Sequence, residues 1–450
     1  MKSLADYQHD LANGRTTSVE LTEAALARID DPNGEGPRAF IRVFHGAALA
    51  EAGASDRLRG AGVVRSPIDG IPVSVKDLCD VAGYTTRAGS IALDDAPPAS
   101  RDATVLARLR AAGAVIVGTT NMVEFALGGL GLNPHHGTPR SPWDRATGRV
   151  PGGSSSGGAV SVADRMAAVA LGTDTAGSVR MPSAACGLTG FKPTARRVPL
   201  DGIVPLSKSL DSVGPLAASV ECCATVDAIF AGEQPSALAE LDLAGLRLGA
   251  PQTLVLDDMD DTVAAAYSNA LSILSRADAR IINIPFAELA RMADINRLGG
   301  LPITEGYAWH RDLLNRVGDK YDPIVAARLR NGANVAAADY LDLLDARDEM
   351  IGIADRTSAP FDALVMPTLP IVPAPIAPLE ADDDLYLSTN LKMIRNNGLA
   401  NFFDRCALTV PCHVPGEAPV GLMLVGETMA DRWLLSIGKA VEAALKSARN

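Results

Sequence analysis

Two glycine-rich segments, each built around a serine, place the strongest constraint on how this 450-residue chain folds. They are Pro151-Gly-Gly-Ser-Ser-Ser-Gly-Gly158 and Gly172-Thr-Asp-Thr-Ala-Gly-Ser-Val-Arg180. Glycine is used where the backbone needs a positive φ or must come close to a ligand. Such turns around Ser154 and Ser178 predict a site at which backbone amides face a substrate, and they indicate a serine hydrolase.

A third segment supplies a candidate base. Lys76 stands in Pro67-Ile-Asp-Gly-Ile-Pro-Val-Ser-Val-Lys-Asp77, directly after an alternating apolar run that is typical of a strand. A strand that carries a lysine inward removes its hydration, which lowers the pKa of the amine toward the range in which it accepts a proton. The alternative is a strand-end lysine that extends its ammonium group into solvent. We interpret Lys76 as a general base.

Together these segments resemble the amidase signature family. The resemblance is carried, in order, by the lysine segment, the two serine turns and Cys186-Gly-Leu-Thr-Gly-Phe-Lys-Pro-Thr194, and the spacing of the two serines also fits. It extends from Ser18-Val-Glu-Leu near the start of the chain to Pro419-Val-Gly-Leu-Met-Leu-Val-Gly426 near its end.

The resemblance implies a Ser-cisSer-Lys triad. Ser178 would be the nucleophile, Lys76 the base, and Ser154, after a cis peptide bond, would relay the proton between them and contact the substrate. The chemistry agrees, because a serine hydroxyl needs an adjacent base and a second hydroxyl can both donate and accept a proton. No metal or organic cofactor is implied.

The family also has its oxyanion hole in the second serine turn. By resemblance, four backbone N–H groups would stabilise the tetrahedral intermediate, those of Thr175, Ala176, Gly177 and Ser178. Ala176 stands where the family commonly has a second glycine, and alanine would carry a strain of about 1 kcal/mol if that position needs a positive φ. A helix that begins after Ser178 would add its dipole.

Three more residues receive roles by resemblance. Asp174 and Arg180 flank the nucleophile and are expected to form an ion pair that supports the loop, with direct substrate contact as the alternative. Ala126 is expected near the substrate, because relatives contact substrate at this position. The adjacent pair His135 and His136 invites a metal site, but no carboxylate or cysteine stands at ligand spacing.

Helix and strand patterns alternate along the chain, which predicts an α/β fold with a mixed sheet. Thr17 and Glu20 form a capping box that opens a helix ending at about Ile29. Two helix-then-strand units are predicted, over 101–112 with 114–118 and over 262–277 with 279–284.

The resemblance makes the whole chain, 1–450, one amidase-signature domain with a central mixed β-sheet covered by helices on both sides. Its catalytic core is expected at about 60–230, and a region that covers the cleft and sets specificity at about 290–400. Within the latter, the prolines between Pro367 and Pro378 exclude a central strand or a helix. They predict an ordered loop or lid, or else a surface connector.

Composition restricts the partners. A net charge of −12 and a pI near 5.0 argue against binding nucleic acid through a basic surface, so the expected partner is a small molecule. The family resemblance implies that this small molecule is an amide or a carbamate. The six cysteines are expected to be buried free thiols. Neither a secretory signal nor a membrane-spanning run is found, which favours a cytoplasmic enzyme with no membrane partner. A homodimer stays open.

The predicted function is hydrolysis of a carbon–nitrogen bond in an amide or carbamate (urethane). One alternative is an esterase, because Gly153-Ser-Ser-Ser-Gly157 also fits a Gly-x-Ser-x-Gly elbow with Ser155 as nucleophile and His310 or His413 downstream. The segment before it lacks the strand that an elbow requires. A glutaminase-type subunit of a tRNA amidotransferase and a non-catalytic binding protein on the same fold are two further possibilities.

Overall fold

A computed structural model describes residues 1–448. In this part of the chain, eleven strands form one sheet in the order β1-β3-β2-β4-β6-β5-β10-β11-β9-β7-β8. The strands are β1 (Phe40–Val43), β2 (Pro72–Lys76), β3 (Val115–Thr120), β4 (Val169–Asp174), β5 (Thr189–Lys192), β6 (Ser212–Ala217), β7 (Arg247–Pro251), β8 (Arg280–Ile284), β9 (Ala363–Pro367), β10 (Ala407–Pro411) and β11 (Gly421–Val425).

Helices flank this sheet. They are α1 (Leu4–Ala12), α2 (Ser18–Ile29), α3 (Gly36–Ala39), α4 (His45–Gly60), α5 (Thr104–Ala111), α6 (Ser156–Ala163), α7 (Arg180–Ala185), α8 (Val220–Ala231), α9 (Asp261–Arg276), α10 (Met292–Ile295), α11 (Gly300–Val317), α12 (Pro323–Arg330), α13 (Ala337–Ser358), α14 (Ile376–Ala381), α15 (Asp383–Phe402) and α16 (Asp431–Ser447). The predicted α/β fold with a mixed sheet is confirmed.

The strand pleat separates two hydrophobic cores on opposite faces of the sheet. In β4, Val169 and Leu171 pack into one core, whereas Ala170 between them packs into the other. The first core includes Leu106 of α5, and the second includes Val160 of α6. Because successive side chains of a strand point to opposite faces, a strand that is buried on both sides carries a near-continuous run of apolar residues, as Val169–Leu171 does.

The individual elements match the sequence patterns closely. The capping box of α2 is present, since Thr17 Oγ1 accepts from the N–H of Glu20 and the Glu20 carboxylate accepts from the N–H of Thr17. The helix predicted from residue 101 begins three residues later. The Asp102 side chain accepts a hydrogen bond from the N–H of Ala82 at 2.8 Å, and this contact keeps Asp102 in the loop before the helix.

The proline-rich segment corrects the sequence prediction. Pro367 is the last residue of β9, a strand paired on both sides, and Pro378 lies in the short helix α14. Both exceptions have a physical reason. A proline at the end of a strand need not continue the ladder, and the first turn of a helix leaves its N–H groups unbonded in any case. Irregular backbone is confined to the residues between the two elements.

Three neighbouring strands position the candidate site. β2 runs parallel to both β3 and β4, so their carboxyl ends meet at one edge. Lys76 ends β2, and Thr173 and Asp174 end β4. Ligand sites in such sheets form outside the carboxyl ends of the strands. No helix within residues 1–448 is long and apolar enough to cross a bilayer.

Candidate active site

Lys76 is completely buried and faces two hydroxyl groups. Its Nζ lies 2.7 Å from Ser154 Oγ and 2.9 Å from Thr173 Oγ1. Burial lowers the pKa of this amine to about 7, although the carboxylates of Asp174 and Asp211 favour the charged form. A large fraction of the amine is therefore neutral near pH 7 and able to take a proton from Ser154.

The Ser154 loop is held by the segment after β3. The Gly153–Ser154 peptide bond is cis, and the backbone groups on either side of it, Gly153 N–H and the Ser154 carbonyl, both form hydrogen bonds. Gly153 N–H donates to the carbonyl of Gly129 at 2.7 Å, and the Ser154 carbonyl accepts from Val123 N–H at 3.1 Å. The hydroxyl is thereby fixed at the buried end of Lys76, even though it belongs to a loop.

The second serine turn is organised around the Asp174 carboxylate. It accepts from the N–H groups of Gly177 at 2.7 Å and Val179 at 3.1 Å, and it pairs with the buried Arg180 guanidinium at 2.9 Å. Burial works to raise the pKa of Asp174, but the Arg180 charge prevails and lowers it to about 2. The carboxylate therefore stays ionised and holds the turn closed around Ser178.

The four backbone N–H groups that were predicted to form the oxyanion hole differ in whether they already have a hydrogen-bond partner. The N–H of Gly177 already donates to Asp174. Within residues 1–448, the N–H groups of Thr175, Ala176 and Ser178 have no hydrogen-bond partner, so they are free to meet an oxyanion. Gly177, with a φ of +123°, takes the conformation that favours glycine. Ala176 does not have a positive φ, so the condition for strain at this position is not met.

The two serine turns touch through their backbones. Ser155 N–H donates to the Ser178 carbonyl at 3.3 Å. No hydrogen bond joins Ser154 Oγ to Ser178 Oγ in the part of the chain that is described here. Lys76 and Ser154 therefore share a hydrogen bond. Ser178, which is 4% exposed, lies on the adjoining turn.

Ala126 lies in the segment that supports Ser154. It is 5% exposed and has a φ of +62°, directly after Phe125 with a φ of +49°. The Phe125 ring packs edge-on against His310 of α11, with centroids 4.4 Å apart. The loop that carries Ala126 is therefore braced by aromatic side chains from the predicted specificity region.

The predicted specificity region, at about 290–400, includes most of α15, but the sequence did not single out the asparagines of this helix that contact the site. Its residues Asn390, Asn397 and Asn401 share one helix face. Asn390 Oδ1 accepts from Gly129 N–H at 2.7 Å, and Asn401 bonds both Asp174 and Arg180. The helical spacing of the three asparagines is the signal that was available, but an asparagine stripe alone does not say which loop it supports.

The oxyanion turn has a second carboxylate partner that the sequence did not reveal. Asp211, just before β6, accepts from Thr175 Oγ1 at 2.5 Å and from the N–H groups of Leu206 and Ser207. Burial raises the pKa of Asp211 to about 6. It ties the turn to the chain before β6.

The histidines considered in the sequence bond elsewhere. His310 Nδ1 lies 2.9 Å from Tyr321 Oη, His413 Nδ1 accepts from Val420 N–H, and His135 Nε2 lies 3.0 Å from the buried Glu124 carboxylate. Within residues 1–448, no hydrogen bond joins Ser155 to a histidine. The segment just before Ser155 contains no strand either.

Comparisons with known proteins agree with this architecture. A family model described as Amidase matches residues 20–435. The chain is 38% identical to 2-amino-5-chloromuconic acid deaminase from Comamonas testosteroni, over 98% of this chain and 96% of the relative. It is 35% identical to a subunit of the glutamyl-tRNA(Gln) amidotransferase from Chloroflexus aggregans, over 96% and 94%. A crystal structure of an amidase superposes with a TM-score of 0.88 at 31% identity, covering 98% of this chain and 99% of that chain.

The family match spans most of the chain, and the relatives align along nearly their whole length. The chain belongs to the amidase signature family of hydrolases that act on carbon–nitrogen bonds.

Proposed function

We propose that this protein hydrolyses a small-molecule amide or carbamate, including urethanes, through an acyl-enzyme on Ser178. The observation that carries the proposal is the buried amine of Lys76, 2.7 Å from Ser154 Oγ and with a pKa of about 7. A base with a pKa near the working pH is the most effective one. A buried lysine with no hydroxyl group beside it could not take a proton from a serine.

In the first half of the reaction, Lys76 takes the proton of Ser154, and Ser154 takes the proton of Ser178. The Ser178 oxygen bonds to the substrate carbonyl carbon, and the carbonyl π electrons move to oxygen. When this intermediate collapses, the C–N bond breaks and the amine nitrogen receives the proton back through Ser154. Water then adds to the acyl-enzyme by the same proton route, which releases the acid and regenerates Ser178.

Backbone N–H groups would stabilise the developing oxyanion by hydrogen bonds. The free N–H groups of Thr175, Ala176 and Ser178 support an oxyanion site in this turn, and Gly177 acts indirectly by anchoring the turn to Asp174. Preorganised donors of this kind contribute several kcal/mol in other acyl-transfer enzymes, about 3–4 kcal/mol for a single donor. The turn keeps its shape during the reaction because the Asp174–Arg180 pair is buried.

A second candidate is release of ammonia from an amino-substituted unsaturated acid, which the name of the deaminase relative suggests. Arg328 favours an acidic substrate. Its guanidinium donates to the carbonyl of Leu127 at 2.8 Å, next to Ala126, and burial lowers the pKa of this arginine. Among the ion pairs of residues 1–448 it has none, so a substrate carboxylate would meet a charge that lacks an ion-pair partner.

The test is to label the purified protein with a fluorophosphonate probe and to map the modified peptide by mass spectrometry. We expect labelling of Ser178, and a loss of amide or carbamate hydrolysis of at least about 10⁴-fold in Ser178→Ala. Ser155→Ala is the matched control and is expected to keep the label on Ser178. Labelling of Ser155, or normal turnover by Ser178→Ala, would overturn the assignment. Ammonia release from aminomuconate-type acids and from glutamine separates the substrate classes.

A further inference from the structure

The side-chain oxygen of Asn397 in α15, Oδ1, is a hydrogen-bond acceptor that has no donor. The side chain is fully buried, and its Nδ2 donates to the carbonyls of Thr368 at 2.7 Å and Met393 at 3.2 Å. Two carbonyl partners set the orientation of the amide, because an oxygen in that position would face two acceptors. Within residues 1–448, Oδ1 therefore remains a buried acceptor without a hydrogen bond.

This oxygen belongs to a side chain that touches the nucleophile turn. A Cβ added at Gly177 would lie 2.4 Å from Asn397 Cβ and 2.9 Å from Cγ, so the amide group packs directly on the residue before Ser178. On the same helix face, Asn390 and Asn401 have their oxygens satisfied by Gly129 and Arg180. Asn397 alone among these three keeps an unbonded oxygen, on a side chain that packs against the turn whose backbone donors are also unbonded.

A scissile amide or carbamate presents two groups to such a site. Its carbonyl oxygen needs donors, which the free N–H groups of the turn supply, and its N–H needs an acceptor. A buried acceptor left without a partner costs about 1–3 kcal/mol, and such groups in a native structure require an explanation. An ester has the same carbonyl but no N–H to offer.

We infer that Asn397 Oδ1 accepts a hydrogen bond from the N–H of the scissile amide or carbamate, which makes Asn397 a residue that selects amides over esters. The inference rests on the proposed hydrolase function and adds the contact that recognises the nitrogen side of the bond. Discrimination arises because an ester leaves the Asn397 oxygen unsatisfied and an amide does not.

The experiment compares Asn397→Leu with Asn396→Leu. Asn396 is the matched control, because its Nδ2 also donates to two buried carbonyls, those of Val255 and Pro367, while its Oδ1 accepts from Arg395 Nε at 3.1 Å. Both substitutions are on the same helix, and each removes the donor from two carbonyls. The readout is the ratio of kcat/KM for para-nitroacetanilide to kcat/KM for para-nitrophenyl acetate, which is independent of the fraction of folded protein.

We expect Asn397→Leu to lower the amide-to-ester ratio about tenfold, the loss of one substrate hydrogen bond, and Asn396→Leu to leave it within about twofold. Asn397→Ala, a smaller side chain that also removes the acceptor, should lower the ratio if the leucine variant does not fold. An unchanged ratio in the Asn397 variants overturns the inference. If the unmodified protein hydrolyses neither these substrates nor any other amide, ester or carbamate, the proposed function itself fails.

Discussion

Two strand ends of this protein each bury a lysine, and they differ in what the amine faces. Lys76 ends β2 with Nζ next to the hydroxyls of Ser154 and Thr173. Lys192 ends β5, is 1% exposed, and donates to the carbonyl of Pro193 at 2.7 Å. Burial lowers both amine pKa values, to about 7 and about 8.

The comparison shows that a lowered pKa is not by itself a mark of catalysis. A neutral amine needs a group that can release a proton to it and pass one on. A hydroxyl does both, whereas a backbone carbonyl only accepts. The Lys192 amine has neighbouring charges on Asp174, Arg180 and Asp431 but donates to a carbonyl that has no proton to give. Lys76 is therefore the candidate base, and Lys192 is interpreted as a structural lysine.

The sharpest test of this contrast replaces each lysine by methionine. We expect Lys76→Met to lower kcat/KM for an amide by at least about 10³-fold, because the relay loses its base. Lys192→Met should stay within about tenfold of the original protein per folded molecule. The measurement is steady-state hydrolysis, with the folded fraction taken from circular dichroism. Equal losses in the two variants would mean that the hydroxyl contacts of Lys76 do not matter.

The dependence of kcat/KM on pH tells the two lysines apart, because the midpoint of the profile reports the pKa of the amine that acts as the base. Protonated Lys76 cannot accept a proton, so kcat/KM should fall about tenfold per pH unit below about 7 and level off above it. The negative charges of Asp174 and Asp211 act on this amine and raise its pKa, whereas burial lowers it by more. Lys192→Met should leave the midpoint where it is. A midpoint near 8 that disappears in Lys192→Met would reverse the roles of the two lysines.

The smallest expected effect concerns the second hydroxyl at Lys76. Thr173→Val removes the oxygen 2.9 Å from Nζ and should reduce kcat/KM about fivefold, the equivalent of one hydrogen bond of about 1 kcal/mol. Because that oxygen stabilises the ammonium form, the pH midpoint should move downward. Thr120→Val is the control, since Thr120 lies opposite Lys76 in β3 but its hydroxyl donates to the Val75 carbonyl and, within residues 1–448, has no hydrogen bond to the lysine. A similar loss in both variants would point to packing instead.

The candidate site was predictable where its residues stand in local motifs. Lys76, Ser154 and Ser178 were each singled out by the sequence around them, because glycine turns and a strand-borne lysine leave a local pattern. Asn397 and Asp211 were not, because their contacts with the nucleophile turn join distant parts of the chain. The prolines at 367 and 378 were misjudged for a related reason: whether a missing N–H matters depends on the neighbours of that residue in the fold.

The sequence by itself determined the fold class and the helix capping at Thr17, because these depend on residue type and short-range spacing. Its resemblance to the amidase signature family assigned the roles of candidate nucleophile, relay and base to Ser178, Ser154 and Lys76. Only the tertiary structure decided which buried lysine faces hydroxyl groups, which N–H groups of the oxyanion turn are free, and which asparagine of α15 keeps an unbonded oxygen. The physical reason is that hydrogen-bond satisfaction is a property of surroundings. It is set when strands and helices from distant parts of the chain converge on one point.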